Sequence, residues 1–449
     1  MIIENIKSVL LFLLFGLSLL LTYQLWYGDM PAQLLQEDVY ENLMVEEPRS
    51  LENLLMPYFI AVNVEDGFYI FKKGETDYES LWDELSNTLQ RISSDTIVEE
   101  AMPPEGSRKL LTCYLQPDLP VGKGLPWLEE ASYAEIRTIE LYSNNDRKWL
   151  ILAESGNKNT INLLLSPGIA EHFSALLDEV STEDKKLHAR LTADHLPQPS
   201  EVDLEVEVPI YVPVEPLFMD ELALKPEAIE HDLILKTFFV DFNMARIIEE
   251  KDGGLIYTDG EKGLRLTETG LEYSAPQKEV GQVTVTYPEA LFNSSSLISY
   301  HGGWPENLRL DGFSLSGWGR VAYYNASWCM FHDGFPIFTN QPTTALFNDN
   351  GLFYYARFIF FTDNAIMEEG KQKPVTMWYD ALAEALDLIK EQNSKRNNPL
   401  LLEEISLGYV VPNSPNNYRG VPVWRITISG ETFTLTADQL DLLEEEDLI

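Results

Sequence analysis

Cysteine is almost absent from this chain of 449 residues, which has only Cys113 and Cys329. They form no CxxC and lie far apart, which argues against thiol redox chemistry and a cysteine zinc site. Each sits among apolar or aromatic neighbours, so two buried, unpaired thiols are expected, with a single disulfide left open by the sequence. Histidine is also scarce: His172, His188, His195, His231, His301 and His332. No two have HExxH spacing, and none stands at a zinc-ligand interval from a cysteine. A P-loop and a G-x-S-x-G motif are missing. The stretch from Gly312 to Gly317 fails the nucleophile-elbow pattern by one position. His301-Gly302-Gly303 looks like an oxyanion loop with no nucleophile motif to serve. The glycines read better as the end of a helix, with His301 structural. No D-x-D-x-D-G loop exists for calcium. Carboxylates are too abundant for any pair to single itself out as acid and base. The expectation is a protein that is not an enzyme, with no cofactor and no metal site.

Basic charge is also in short supply. Lys and Arg number 32 against 72 Asp and Glu, for a net charge of −40. Such a field repels nucleic acid, whose binding depends on cations that displace its counterions. The composition is otherwise that of a folded chain, 45% hydrophobic and 11% aromatic. Its length suggests two or three domains.

One long apolar run is present, Ser8 to Trp26. At 1.5 Å per residue it covers roughly 28 Å, close to the bilayer core. Tyr23, Trp26 and Tyr27 gather at one end, where rings settle at headgroup level. The length and aromatic end favour a retained anchor over a cleaved signal peptide. Lys7 before the run and Asp29, Glu37 and Asp38 after it place the N-terminus in the cytoplasm and the bulk outside. Gly16, Ser18 and Thr22 bring small residues to this helix, with Ser18 and Thr22 on one face. They either let another helix approach closely or simply meet lipid.

Beyond the anchor the periodicity alternates between helix and strand. Residues 29–50 are acidic and read as a stalk. A strand-like stretch covers Tyr58–Phe71, and a helix begins at Thr76 with Glu79 as a capping box. Strands are expected at Ala134–Tyr142, Trp149–Glu154 and Thr160–Leu165, then a helix from Ser166-Pro167. Residues 196–216 form a proline-rich break. Gly254–Ser274 reads as a three-stranded meander with turns at Asp259-Gly260 and Thr269-Gly270. A helix near Pro288–Tyr300 leads to strands near Arg309–Leu315, Gly319–Met330 and Leu352–Phe361. A helix starts at Pro374, and two last strands cover Ile405–Val411 and Val421–Ser429. Aromatic residues are dense from Trp304 to Phe361, and core packing explains them better than a binding face. This order predicts an α+β fold: a transmembrane helix (1–28), a stalk (29–50), a first exterior domain (51–195), a middle domain (196–300) and a C-terminal domain (301–449).

The sequence resembles the YycH family. Glu4-Asn5-Ile6-Lys7-Ser8, with a Leu-rich helix ending Tyr23-Gln24-Leu25-Trp26, looks like the family's N-terminus. Asp252 to Gly260, Gly263-Leu264-Arg265 and Leu271-Glu272-Tyr273 are similar to its middle region. His301-Gly302-Gly303-Trp304 with Arg309-Leu310, and Pro422-Val423-Trp424-Arg425-Ile426, resemble its later segments. The resemblance implies a single-pass, non-enzymatic regulator of the sensor histidine kinase YycG (WalK), whose two-component system, YycFG, controls cell-wall metabolism. It implies a second single-pass partner, YycI, contacts between transmembrane helices through Gly16, Ser18 and Thr22, and room for a homodimer. A membrane-anchored binding module for an envelope ligand is the alternative.

Overall fold

The computed structural model describes residues 46–448 apart from 65–66, 74, 121–134, 155–159, 184, 192–203, 207–208, 229, 240–244, 252, 277–282, 319–320, 363–371, 393–398, 413–417 and 445–447. The apolar run, with Gly16, Ser18 and Thr22, lies outside these residues, as does His195. Among the described residues, no helix is long and apolar enough to cross a membrane.

Two large sheets, mostly antiparallel, organise the chain. Helix α1 (Leu51–Leu54), capped by the Ser50 hydroxyl, enters the first. Its strands are β1 (Pro57–Val64), β2 (Gly67–Lys72), β3 (Ile97–Glu100), β4 (Arg108–Pro120), β5 (Glu135–Asn144), β6 (Arg147–Glu154), β7 (Thr160–Leu165) and β8 (Leu187–Arg190). Strand β9 (Leu204–Val206) belongs to the second sheet, and β10 (Tyr211–Pro213) completes the first. The order is β10-β8-β2-β1-β4-β5-β6-β7-β3. The single stretch expected at 58–71 is thus a hairpin, with Ala61 paired to Ile70.

Period-two patterning sends Ile60, Val62, Leu111 and Cys113 inward. Helices α2 (Thr76–Gln90) and α3 (Pro167–Glu179) pack together over the sheet. Tyr78, Leu81, Trp82, Leu85 and Leu89 bury one stripe of α2, and Ile169, Phe173 and Leu176 one stripe of α3. The expected capping box on α2 does not form. Glu75 occupies the N-cap and accepts from the Lys72 amide, while Glu79 turns to Arg309.

The second sheet holds fifteen strands among the described residues. After β9 come β11 (Phe218–Met219), which stands apart, and β12 (Leu222–Pro226). Helix α4 (His231–Phe238) precedes β13 (Arg246–Glu249), β14 (Leu255–Thr258), β15 (Gly263–Leu266) and β16 (Gly270–Ser274). The last three are the meander expected from alternation, with Leu264, Leu266, Leu271 and Tyr273 buried. Helix α5 (Tyr287–Tyr300) is capped by the Thr286–Glu289 box. Then follow β17 (Leu308–Trp318), β18 (Val321–His332), β19 (Phe335–Phe338), β20 (Thr343–Asn348), β21 (Gly351–Phe358), β22 (Phe360–Thr362), β23 (Lys373–Pro374, paired with β11), helix α6 (Trp378–Gln392), β24 (Leu400–Val410), β25 (Arg419–Ile428) and β26 (Glu431–Thr436). The path runs β13-β14-β15-β16-β21-β20-β18-β19-β24-β25-β12-β22, with β17, β26 and β9 branching from it.

Two local expectations are corrected here. Helix α6 begins at Trp378 rather than Pro374. Pro374 is held in the β11 pair, and the Val375 amide donates to the Leu217 carbonyl, so this backbone is committed to another ladder. A further strand, β26, follows the two final strands that were expected. It buries Phe433 and Leu435 between outward threonines. The mixture of helices and antiparallel sheet is α+β. The division at 195 and 300 remains a proposal.

Candidate functional site

The two sheets meet along a seam, and its residues come from loops and strand ends. Lys73 follows β2 and is only 1% exposed, and its Nζ donates to the Leu310 carbonyl at 2.7 Å. Beside it Lys72 places its ammonium 3.9 Å from the centre of the Phe335 ring. Phe335 is delivered by the β18–β19 turn, where Asp333 and Gly334 have φ of 47° and 73°. Both positive angles suit the two-residue hairpin loop, and Asp-Gly is a favoured pair for it. A Cβ on Gly334 would lie 2.7 Å from Glu75 Oε1, so this turn reaches the first sheet only with glycine. Arg309 at the start of β17 donates to Glu79 of α2 at 2.8 Å. Tyr58 and Phe331 meet edge to face at 6.2 Å.

The seam encloses a cleft of about 290 Å³. One wall is the outer face of the first sheet, where Phe59 stacks on Tyr114 at 5.4 Å and abuts Tyr211 at 5.4 Å. Arg137 extends this wall, its Nη1 donating to the Tyr114 hydroxyl at 3.3 Å. The facing wall is β24 from Glu403 to Leu407, with Trp424 of β25. A second cavity of about 210 Å³ shares Tyr58, Pro336 and Glu404 with the first and adds Asp311, Cys329 and Arg425. Asp311 sits where the β17–β18 register slips between Leu310 and Gly312, and such a bulge re-aims a side chain.

Burial dominates the electrostatics. It lowers the Lys72 and Lys73 ammonium groups to about 8 each, against pull from Glu75 and Asp311 respectively. His188 falls to about 4 through burial and the neighbouring Lys72 charge. Asp311 is raised by burial, although Lys73 opposes the shift. Both thiols are free, as the sequence suggests, and burial raises Cys113 and Cys329. Among the described residues, no group of three or more His, Cys, Asp or Glu could hold a metal. Chemically the cleft offers aromatic faces beside weakly held positive charge on one side and carboxylates on the other. That is a setting for binding a small amphipathic molecule.

The segment just before α1 is docked as well. The last residues of the stretch read as a stalk lie on α5 and the loop after it. The Arg49 amide donates to Ser295 Oγ at 2.7 Å, and its guanidinium lies 4.3 Å over the Trp304 ring. The Trp304 amide donates to Glu46 at 3.1 Å. Sequence reasoning missed Arg49. Its signal was that it is the sole basic residue between Asp29 and Ser50.

His301 has the structural role expected of it. It caps α5, bonds Thr237 Oγ1 at 2.8 Å and stacks on Phe238 at 4.1 Å. Gly302, at φ 121°, leaves the space that Arg357 fills. Arg357 in turn forms a bidentate pair with Glu227 at 2.6 and 2.7 Å and donates to the Gly303 carbonyl. Much of the aromatic segment packs inside, including Trp304, Tyr324, Trp328, Phe331, Phe353 and Tyr355.

A family model described as the N-terminal domain of YycH protein matches residues 4–102. No curated relative matches the sequence. The fold is similar to the crystal structure of YycH from Bacillus subtilis, with a TM-score of 0.55 at 12% identity, covering 87% of this chain and 98% of that one. The C-terminal domain of YpeB from Bacillus megaterium aligns at a TM-score of 0.27 and 13% identity, covering 49% of this chain and 99% of that one. At 0.27 the second likeness is too low to bear on the fold. The matched span contains the apolar run, the docked segment at Arg49, the β1–β2 hairpin and α2. The chain thus resembles YycH in sequence over residues 4–102 and in fold over 87% of its length.

Proposed function

We propose that this protein is a non-enzymatic regulator of a sensor histidine kinase of the YycG (WalK) type, in a two-component system controlling cell-wall metabolism. The observation that carries this reading is the YycH match over 4–102, which takes in both the apolar run and the first exterior elements. The protein is anchored by residues 8–26 with its N-terminus in the cytoplasm and the bulk outside the cell. It works beside a YycI-like single-pass partner. Regulation requires tighter binding to one kinase state than to the other, since equal binding shifts no equilibrium. Small residues at Gly16, Ser18 and Thr22 suit close helix contacts in lipid, where packing replaces the hydrophobic drive. Arg49 docks on α5, so the residues just before the first sheet are held against the exterior fold.

The test is purification of the full chain in mild detergent from its own membranes. A histidine kinase and a second bitopic protein are expected with it, and kinase autophosphorylation in proteoliposomes should change when the chain is added. Replacing residues 8–26 with an unrelated span should abolish both effects. Unchanged kinase activity with the intact chain would refute the reading.

The cleft favours a second reading, an anchored binding module for an envelope ligand. It predicts a thermal shift of the full chain with soluble cell-wall fragments, lost on replacing Tyr211 and Trp424 with alanine.

A further inference from the structure

Among the described residues, strand β13 ends the path of the second sheet and is paired on one side, to β14, in regular register. All four of its residues are exposed, and Ile247 and Ile248 are 62% and 52% exposed. Natural sheet edges are usually blunted by proline, lysine, bulges or a covering element. Arg-Ile-Ile-Glu carries neither proline nor lysine, and its ladder has no bulge.

The backbone tells which groups face outward. The Glu250 amide donates to the Gly254 carbonyl at 2.8 Å, continuing the β13–β14 ladder. Hydrogen-bonded positions alternate in an antiparallel pair. Arg246, Ile248 and Glu250 therefore turn their N–H and C=O toward β14, and Ile247 and Glu249 turn theirs outward. Side chains alternate too, so Arg246, Ile248 and Glu250 share the face that carries Arg265. Arg246 makes no ion pair among the described residues, while Glu250 holds Arg265 at 2.5 Å.

We propose that β13 is a self-complementary edge that pairs antiparallel with β13 of a second copy of this chain. A two-fold axis normal to the sheet keeps each side chain on its own face, so residues directly opposite must both be even or both be odd in number. Four registers place the axis within the strand. Centred on Arg246, two guanidinium groups face each other. Centred on Glu249, two carboxylates face each other. Centred on Ile247, Arg246 meets an isoleucine. Centred on Ile248, Ile248 packs on Ile248 of the partner subunit. Arg246 then lies opposite Glu250 of the partner subunit, and the reciprocal pair repeats it. In this register Ile247 and the partner's Glu249 exchange both of their outward hydrogen bonds, and the reciprocal pair does the same. Charge therefore selects the Ile248-centred register, and isologous symmetry doubles every contact. The interface is small beside the roughly 1,200 Å² of a stable complex. The pairing is therefore weak, and shared anchorage in a membrane would raise its effective concentration.

The test uses the full chain in detergent micelles or liposomes with a mild oxidant. Ile248→Cys is expected to cross-link to itself, because opposed non-hydrogen-bonded residues have Cα atoms about 4.5 Å apart, within disulfide range. Ile247→Cys should stay near the wild-type background set by Cys113 and Cys329. In the Ile248→Cys chain, Arg246→Glu or Glu250→Arg should each lower the dimer yield about fivefold, the ratio for roughly 1 kcal/mol of cross-strand pairing. Combining the two should restore it. Ile247→Pro removes an outward N–H without breaking the native ladder and should also abolish the cross-link while circular dichroism stays native. Equal cross-linking at 247 and 248, no self-cross-link at 248, or capture of a different polypeptide in native membranes would overturn the proposal.

Discussion

His301 shows what a single buried residue contributes. Burial and the nearby Arg357 charge lower its imidazole from 6.5 to about 3. The folded chain therefore holds it neutral where the unfolded chain would already protonate. Stability carried by this group is complete above pH 6.5 and is lost as pH falls toward 3. By pH 5 the loss should reach about 2 kcal/mol. In urea denaturation at pH 7 and pH 5, His301→Phe should show a correspondingly smaller drop between the two pH values than wild type. It should also lose, at both pH values, the bond to Thr237. An equal drop in both proteins would contradict this account. That His301 is structural was legible from its place before two glycines at a helix end. Its ring partner Phe238 and the Arg357 beside it were not, because they come from segments 63 and 56 residues away in sequence.

At the scale of elements, the meander β14–β16 was the clearest prediction, because alternation agrees with the Asp259-Gly260 turn, although Gly270, expected in the second turn, instead opens β16. Glycine there has two distinct roles. A Cβ on Gly270 would lie 2.2 Å from the Arg357 carbonyl oxygen, against the neighbouring strand. One on Gly263 would find its nearest neighbour, Ser274 Oγ, at 3.6 Å. Gly270→Ala should therefore destabilise by about 1–3 kcal/mol, as overpacking does, and Gly263→Ala by much less. Thermal unfolding of the two variants side by side distinguishes them, and similar melting temperatures would refute the packing argument. The misread elements failed for a common reason. At α2 and α6 a local signal, Thr76 with Glu79 and then Pro374, was outbid by a distant partner: Arg309 for the first and β11 for the second. Strand β26 went unnoticed because threonine occupies every outward position and weakens the apolar signal.

At the scale of the whole molecule, Arg309 is one of the polar links that join the two sheets among the described residues. It reaches Glu79 on α2 and the carbonyls of Glu306 and Leu308. Arg309→Met keeps the apolar stem but removes every donor. A loss of about 2 kcal/mol is expected, as for hydrogen bonds to a charged group. Urea unfolding followed by tryptophan fluorescence should then broaden as the sheets uncouple, and limited proteolysis should cut first between them. A single sharp transition at the wild-type midpoint would show that the seam does not depend on this residue. The cleft shares that seam, so its shape should change when the sheets uncouple.

The sequence by itself determined local features: the apolar run, several helices and strands, the Asp259-Gly260 turn, the end of α5 and the α+β character. Each depends on neighbours a few residues apart, where period and propensity act directly. Only the tertiary structure decided which strands lie side by side, as when β9 joins β24 almost two hundred residues later. It alone brought Lys73 to Leu310, Arg357 to Glu227 and Arg49 to α5. A strand's alternation says which face is buried but not which strand will cover it. The cleft and the open β13 edge follow from that second choice.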